Sequence, residues 1–555
     1  MPPQNFPRTN ARMNRNPRTR TDALLLAAFC GFLFFYGLGV FGLLGADEPR
    51  YAQVAREMLE RSDWVTPTLQ AKPWLEKPVL YYWEAMLSFR AFGISDRDAR
   101  LPAAFDAALL VAVVYFFLRR FRPGSELDGA LITASSAGVI GFAHAAGTDM
   151  PLAAAFGIAL LGWYAWYESR RRIYLAAFYI FIALATLAKG PVAPALSATI
   201  IFLFVAVKRD WGAIPRTLWM PGIGLYLAVM LPWYIAVQVR NPEFFRVFIL
   251  EHNLARFSGD VYHHHQPFWF YVPVFLLAVM PWTIALVFAV AERVRAVWAE
   301  GKEAFSSPED SWPLFLLIWM LVPILFFSAS QSKLPGYILP AVPAGALLVT
   351  EYLAARRGQE KKLAPLFALA HGVGCGLLTY CALSAASIAS AHRLRWASGS
   401  WMASTTIASA ISASVAVFFA LGIAAVLLSR AGVRLLSRVT ALVVVVSVGA
   451  VIRFAAPTIN ATQSARPIAE SIEAFSHEAV PVALYHVNRV EEYGLEFYLN
   501  RPAEKYEDGN VPAAAHVLVA AQGAQVEVAE LVRGRRVSYL TSVPAQKVDL
   551  YWVGK

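Results

Sequence analysis

Apolar runs long enough to cross a bilayer recur from Ala23 to Phe454, separated by short polar breaks. One helical crossing takes roughly 20 predominantly apolar residues, and the runs predict about thirteen of them. The first is expected over 22–44, the second over 101–118, the third over 129–147 and the fourth over 152–167. The seventh follows at 218–237 and the last at 436–454. Two polar interruptions are long, 46–100 and 238–267. Within the first, the stripe of Tyr51, Val54, Met58 and Leu59 predicts an amphipathic helix over Pro49–Arg61, and a second helix is expected over Val79–Phe92. Thr66-Pro67, Lys72-Pro73 and Lys77-Pro78 supply turns between them. Beyond residue 455 the period changes. Val482–Tyr485 and His516–Ala521 read as strands and Pro467–Phe475 as an amphipathic helix. The predicted fold class is a polytopic α-helical membrane protein, with a membrane domain over 1–455 and a small soluble α/β domain over 456–555.

Composition agrees. Of the 555 residues 57% are hydrophobic and 16% charged, well under the charged share of a soluble domain. The net charge of +11 needs no nucleic-acid partner, because cytoplasmic loops of membrane proteins are enriched in Lys and Arg. The N-terminal arm carries Arg8, Arg12, Arg15, Arg18 and Arg20, and basic clusters recur at Arg119–Arg122, Arg170–Arg172 and Lys208–Arg209. They predict a cytoplasmic N-terminus and a soluble domain on the outer side. The first apolar run is too long for a signal-peptide core and reads as a retained anchor. Cys30, Cys375 and Cys381 lie in apolar runs without metal-ligand spacing and read as buried small hydrophobes.

In this topology the chemically suggestive residues fall on one face. Asp47 and Glu48 close the first crossing, and Asp149 stands where the third turns into the fourth. Ionisable groups at the mouth of a helix bundle point to function. Two acids brought together there can act as a base, as metal ligands or as a cage for a cation. Helix capping by Thr148 and Asp149 ahead of Pro151 explains the second acid equally well. Arg50, Lys72, Lys77, Lys189, Arg256 and Lys333 share that face and suit a phosphate or pyrophosphate, although lipid headgroups also attract such residues. Trp64, Trp74, Tyr81, Tyr82, Trp83, Trp269 and Tyr337 fit an interfacial belt or a sugar-stacking wall. Glu76 with His263, His264 or His265 is a candidate site for a divalent metal such as zinc or manganese. No metal or other cofactor is required by the pattern. There is no Walker loop, dinucleotide fingerprint or nucleophile elbow.

The loop GADEPRYAQVAREMLERSDWVTPTLQAKPWLEKPVLYYW closely resembles that of the dolichyl-phosphate-mannose–protein mannosyltransferase-like superfamily of GT-C glycosyltransferases. Within it, the chain is similar to bacterial 4-amino-4-deoxy-L-arabinose (L-Ara4N) transferases that modify lipid A. TDMPL, LAKGP, HNLARFSG and SKLPGYILP carry the likeness along the chain. The resemblance implies a GT-C fold, an undecaprenyl-phosphate-linked sugar donor and a lipid A phosphate acceptor. It implies a bacterial inner-membrane location with the C-terminal domain periplasmic, a monomer, and resistance to polymyxin and cationic peptides as the outcome. Asp47 and Asp149 would be the acids of the catalytic cavity. Arg50 and Lys77 would hold the donor phosphate, with Tyr51, Tyr337 and Lys333 nearby. Tyr81, Tyr82, Lys189 and Arg256 would line the rest.

A phosphate-linked sugar already has an anionic leaving group, so the site must neutralise charge and align the acceptor. Direct displacement inverts the anomeric centre. A hydroxyl acceptor would need a base such as Asp47. A phosphate acceptor, with a second pKa of about 6, would not, and the two acids then serve as charged clamps. Other readings are a GT-C transferase moving a different polyprenyl-phosphate sugar to protein, glycan or lipid, and a transporter or lipid flippase. Transporters place their ionisable groups near the midplane and often repeat their halves, which this chain does not.

Overall fold

The computed structural model describes residues 17–255, 266–300, 311–358, 363–391, 399–429, 431–475 and 480–554. The arginines up to Arg15, together with Arg256, His263, His264 and His265, lie outside the described residues.

Among the described residues, nine helices are long and apolar enough to cross a membrane, from Asp96–Phe121 to Gly432–Gln463. A bent pair, Phe268–Ala278 with Thr283–Arg295 at 118°, has the length and composition of a tenth when the two are counted together. The three remaining expected crossings are interrupted or short helices. Pro17–Cys30 continues as the π-helical turn Gly31–Phe35 and then leaves helical geometry. Glu126–Ala134 and Ala137–Ala143 are split at Ser135-Ser136, whose hydroxyls donate to Leu131 and Ile132 carbonyls of their own helix. Back-bonding of that kind competes with the helical ladder. Val192–Lys208 is a single shorter helix.

The segment between the first and second crossings folds as the turn pattern predicts. Helix Asp47–Glu60 carries Asp47 and Glu48 in its first turn, where the helix dipole favours anions. Helix Leu80–Phe92 packs beside it, and the next helix starts at Asp96, capped by Ser95, whose Oγ accepts from the Asp98 amide. A hairpin the sequence did not announce lies between them, β1 (Thr68–Leu69) against β2 (Lys72–Pro73). Its turn residues Gln70 and Ala71 both have positive φ, a conformation Asn-Gly would adopt more easily. The Glu57 carboxylate holds it, accepting from the Thr68 hydroxyl and from the Gln70 and Ala71 amides.

The last long helix runs through the expected boundary at 455–456 and ends at Gln463. Helical structure therefore continues about eight residues past the change of period, through the π-helical turn Val451–Ala455 and on past Pro457. The five-stranded sheet of the C-terminal domain has the order β4-β3-β5-β7-β6. Strands β3 (Val482–Tyr485), β4 (Glu504–Lys505) and β5 (His516–Ala521) pair in parallel, and β7 (Val548–Val553) and β6 (Val537–Val543) add antiparallel. Ile468, Ile472, Leu484, Val517, Val519 and Leu550 form its own core. Phe497 of helix Arg489–Leu499 instead belongs to the large core of the membrane portion. Cys30 and Cys375 are buried as expected, whereas Cys381 is exposed, on the wall of an apolar cavity.

Candidate active site

Two charged centres meet at one end of the bundle. The first is built on helix Asp47–Glu60. Arg50 Nη2 donates to Asp47 Oδ1 at 2.5 Å, one helical turn apart. The guanidinium stacks on three rings, Tyr51, Trp74 and Tyr493, with centroids 5.2, 5.1 and 5.5 Å away. Burial alone would lower the Arg50 pKa, but Tyr51, Asp47, Glu76 and Tyr82 outweigh it and raise it. Arg50 is a fixed cation.

The second centre joins the start of helix Asp149–Ser169 to the end of helix Arg172–Lys189. Lys189 Nζ forms an ion pair with Asp149 and lies 4.7 Å above the Tyr337 ring. Thr148 makes no side-chain cap and Asp149 spends its carboxylate on Lys189, so simple capping does not describe this acid. Gly336 lets the Pro335–Ala341 turn come close. A Cβ there would stand 2.7 Å from Asp149 Oδ1. Tyr51 links the centres, its ring 3.7 Å from where a Cβ on Gly147 would sit and within the field of both Asp47 and Asp149.

Three buried donors near Arg50 have no hydrogen-bond partner among the described residues: Arg50 Nε, Trp74 Nε1 and Tyr82 Oη. An unmet buried donor costs about 1–3 kcal/mol, and three of them around one guanidinium suit an acceptor-rich anion. Lys77 is half-buried just beyond it on the same loop. Beside the box a cleft of about 480 Å³ is lined by Trp74, Glu76, Arg240, Asn241 and Glu243. On the other side of helix Asp47–Glu60, an apolar cavity of about 470 Å³ is lined by Phe41, Leu44, Glu48, His144, Met280 and Val448 among others.

The remaining expected residues divide. Lys333 is buried and donates to its own loop at Ser330 O, 2.5 Å. Tyr81 is fully buried and donates to Ala99 O at 2.9 Å, a structural role. Among the described residues no three His, Cys, Asp or Glu side chains converge as metal ligands, and of the expected metal set only Glu76 is described. Glu48 turns away from Asp47 and pairs with Arg100 at 2.6 Å, and Arg100 also donates to the carbonyls of Leu38, Phe41 and Gly42, each at 2.8 Å. Burial pushes the Glu48 carboxyl up, opposed by Arg100 and the Leu44 amide. Arg100 escaped the sequence reading. Its signal was an arginine that closes the charged run Asp96–Arg100 just where the apolar run begins.

The far end of the same helices carries Arg122 paired with Glu168. Charges gathered in two end layers around apolar helices describe a polytopic membrane protein. Over 96% of this chain and 97% of the other, the fold matches the crystal structure of ArnT from Cupriavidus metallidurans bound to undecaprenyl phosphate, with a TM-score of 0.72 at 23% identity. Residues 21–248 match the family described as dolichyl-phosphate-mannose-protein mannosyltransferase. The chain is 34% identical over 350 residues to the undecaprenyl phosphate-alpha-4-amino-4-deoxy-L-arabinose arabinosyl transferase of Pseudomonas aeruginosa strain UCBPP-PA14, covering 61% of this chain and 60% of that protein. The protein of that name from Serratia proteamaculans is 31% identical over 339 residues, 60% of this chain and 59% of the other. The matched region spans about 60% of the length of these relatives.

Proposed function

We propose that the chain is a glycosyltransferase that moves 4-amino-4-deoxy-L-arabinose from undecaprenyl phosphate to a phosphate of lipid A at the outer face of the bacterial inner membrane. The observation that carries this reading is the box of unmet donors on Arg50, Trp74 and Tyr82 beside Asp47. It is a receptacle for a phosphate, set at the end of apolar helices where a lipid-linked phosphate would arrive. The names of the relatives supply the sugar and the carrier.

In the proposed reaction an acceptor phosphate oxygen attacks the anomeric carbon as the bond from that carbon to the carrier phosphate breaks. The electron pair leaves on the carrier phosphate, and the anomeric centre inverts. Arg50 and Lys77 neutralise the departing charge, and Trp74 and Tyr82 donate to its oxygens. The acceptor is already an anion, with a second pKa of about 6, so no residue must take its proton. Asp47 and Asp149 then serve to hold and orient the sugar's ammonium group, with Lys189 and Tyr337 fixing Asp149 in place. The apolar cavity behind Glu48 offers room for a lipid chain next to the reacting groups. A cationic sugar added to lipid A lowers the negative surface potential, which accounts for resistance to polymyxin and cationic peptides. The N-terminus is cytoplasmic and residues 464–554 periplasmic in this orientation.

The test is reconstitution of the purified protein in lipid nanodiscs with undecaprenyl-phosphate-linked L-Ara4N and lipid A. Product bearing L-Ara4N on phosphate is expected. Turnover only with another polyprenyl-phosphate sugar would reject this donor, and no turnover with any would reject the transferase reading.

A further inference from the structure

Between the first apolar helix and Asp47 the chain runs through Gly39–Gly45 with no regular structure, so its backbone groups need partners from elsewhere. Many come from the C-terminal part of the chain. Gly42 N donates to Asn460 Oδ1 at 2.8 Å and Leu43 N to Tyr498 Oη at 2.7 Å. Gly45 N reaches Gln463 O at 3.4 Å. Arg466 donates to the carbonyls of Gly39 at 3.5 Å and Val40 at 3.3 Å. Asp96 ties these together, accepting from Tyr498 Oη at 2.6 Å, from Arg466 Nη1 at 2.9 Å and from Leu43 N at 3.2 Å. The fit is close. A Cβ on Gly42 would stand 2.2 Å from Ser464 Oγ and 2.5 Å from Tyr498 Oη.

The C-terminal domain that follows the last long helix also touches the helix beyond Asp47. Tyr493 stacks under Arg50, and Arg56 Nη1 donates to Phe497 O at 2.9 Å. Asp47 is thus bracketed: the residues before it and the turns after it are both held by 460–498. A domain that only tethered itself to the membrane portion would have no need to satisfy the amides and carbonyls of this one segment.

We propose that the C-terminal domain is a positioning element for the reaction centre, with Asp96, Arg466 and Tyr498 fixing the Gly39–Gly45 segment and through it the placement of Asp47. The proposal rests on the reading of Asp47 as a group of that centre. None of the three residues touches the reacting atoms; they act through the backbone.

The test uses the full-length protein in nanodiscs carrying Arg466→Ala or Tyr498→Phe, with Gly42→Ala as an independent wedge into the same contact. Amide exchange over 42–45, read by mass spectrometry, should speed up about tenfold: Tyr498→Phe removes one acceptor of the Leu43 amide, Arg466→Ala releases the Gly39 and Val40 carbonyls and Asp96, and the loosened segment opens its amides to solvent. Turnover should fall about tenfold with the KM for the lipid-linked sugar within about twofold, since misplacement of one group affects the rate of the step more than binding. Arg466→Lys should recover part of both. Unchanged exchange in all three variants, or faster exchange with unchanged turnover, would overturn the proposal. The exchange measurement does not depend on the identity of the substrate. Wild-type protein without transfer activity would therefore sink the proposed reaction, while exchange would still decide whether the segment is held by the domain.

Discussion

Asp47 leaves 62% of its side chain exposed and shares one contact with Arg50, whereas Glu48 beside it leaves 12% and grips an arginine that is wholly buried. The two acids are one helical step apart, about 100° around the helix, and that rotation separates the open mouth from the packed interior. The Arg50 cluster keeps donors unmet, as a place for a ligand must. The Arg100 cluster satisfies its guanidinium with one carboxylate and three carbonyls, as a structural joint must. The difference teaches that charge in such a loop divides by satisfaction, with complete networks holding the backbone and incomplete ones waiting for substrate.

The largest effect should come from the joint. Arg100→Ala strands the Glu48 carboxylate and three carbonyls, and should cost about 3–5 kcal/mol, read as a lower thermal midpoint in detergent. Replacing both partners by apolar residues should cost less, and equal losses would break the contrast between a stranded charge and a missing pair. At the mouth, Asp47→Asn should leave the thermal midpoint in place and lower turnover about 10²–10³-fold. Retained activity across the pH range would remove any charged role for Asp47.

A smaller effect belongs to the contact between the outer helix Arg489–Leu499 and the hairpin. Burial, with help from Glu492 and Glu57, pushes the Glu496 carboxyl up to about 7 against the opposing hydrogen bond from Gln70. The fold prefers its protonated form, so that stabilisation is complete below the ordinary value of 4.5 and is lost as pH rises through about 7. Stability of the outer domain should drop by roughly 3 kcal/mol over that window, and Glu496→Gln should flatten the curve. A variant with the wild-type pH profile would point to another group. The smallest effect is at Tyr337, where losing the ring under Lys189 by Tyr337→Leu should cost about 0.5–1 kcal/mol, a twofold to fivefold loss of turnover.

Much of this was legible in the residues. The period of apolar runs gave the crossings, and the stripe through Tyr51, Val54 and Met58 gave the helix that carries Asp47, because burial of one face sets both patterns. Asp149, Lys189 and Tyr337 could be suspected from their places at helix ends, and they do meet. Their pairing could not be read, since it depends on how helices far apart in sequence lie side by side. Arg100 and Tyr493 were missed for the same reason. Each gains its meaning from a partner dozens to hundreds of residues away. The split crossing at Ser135-Ser136 was hidden by its apolar surroundings, and the change of period near residue 456 marked the domain only approximately because the last helix outruns the membrane pattern.

The central claim is that the Asp47–Arg50 mouth transfers L-Ara4N to lipid A. Its most direct test is mass spectrometry of lipid A from cells lacking the gene, complemented with either the wild-type chain or Asp47→Asn at equal abundance. The account predicts a pentosamine on lipid A phosphate with the wild-type chain and almost none with the variant. Equal modification in both, or lipid A unchanged by the wild-type chain, would contradict it.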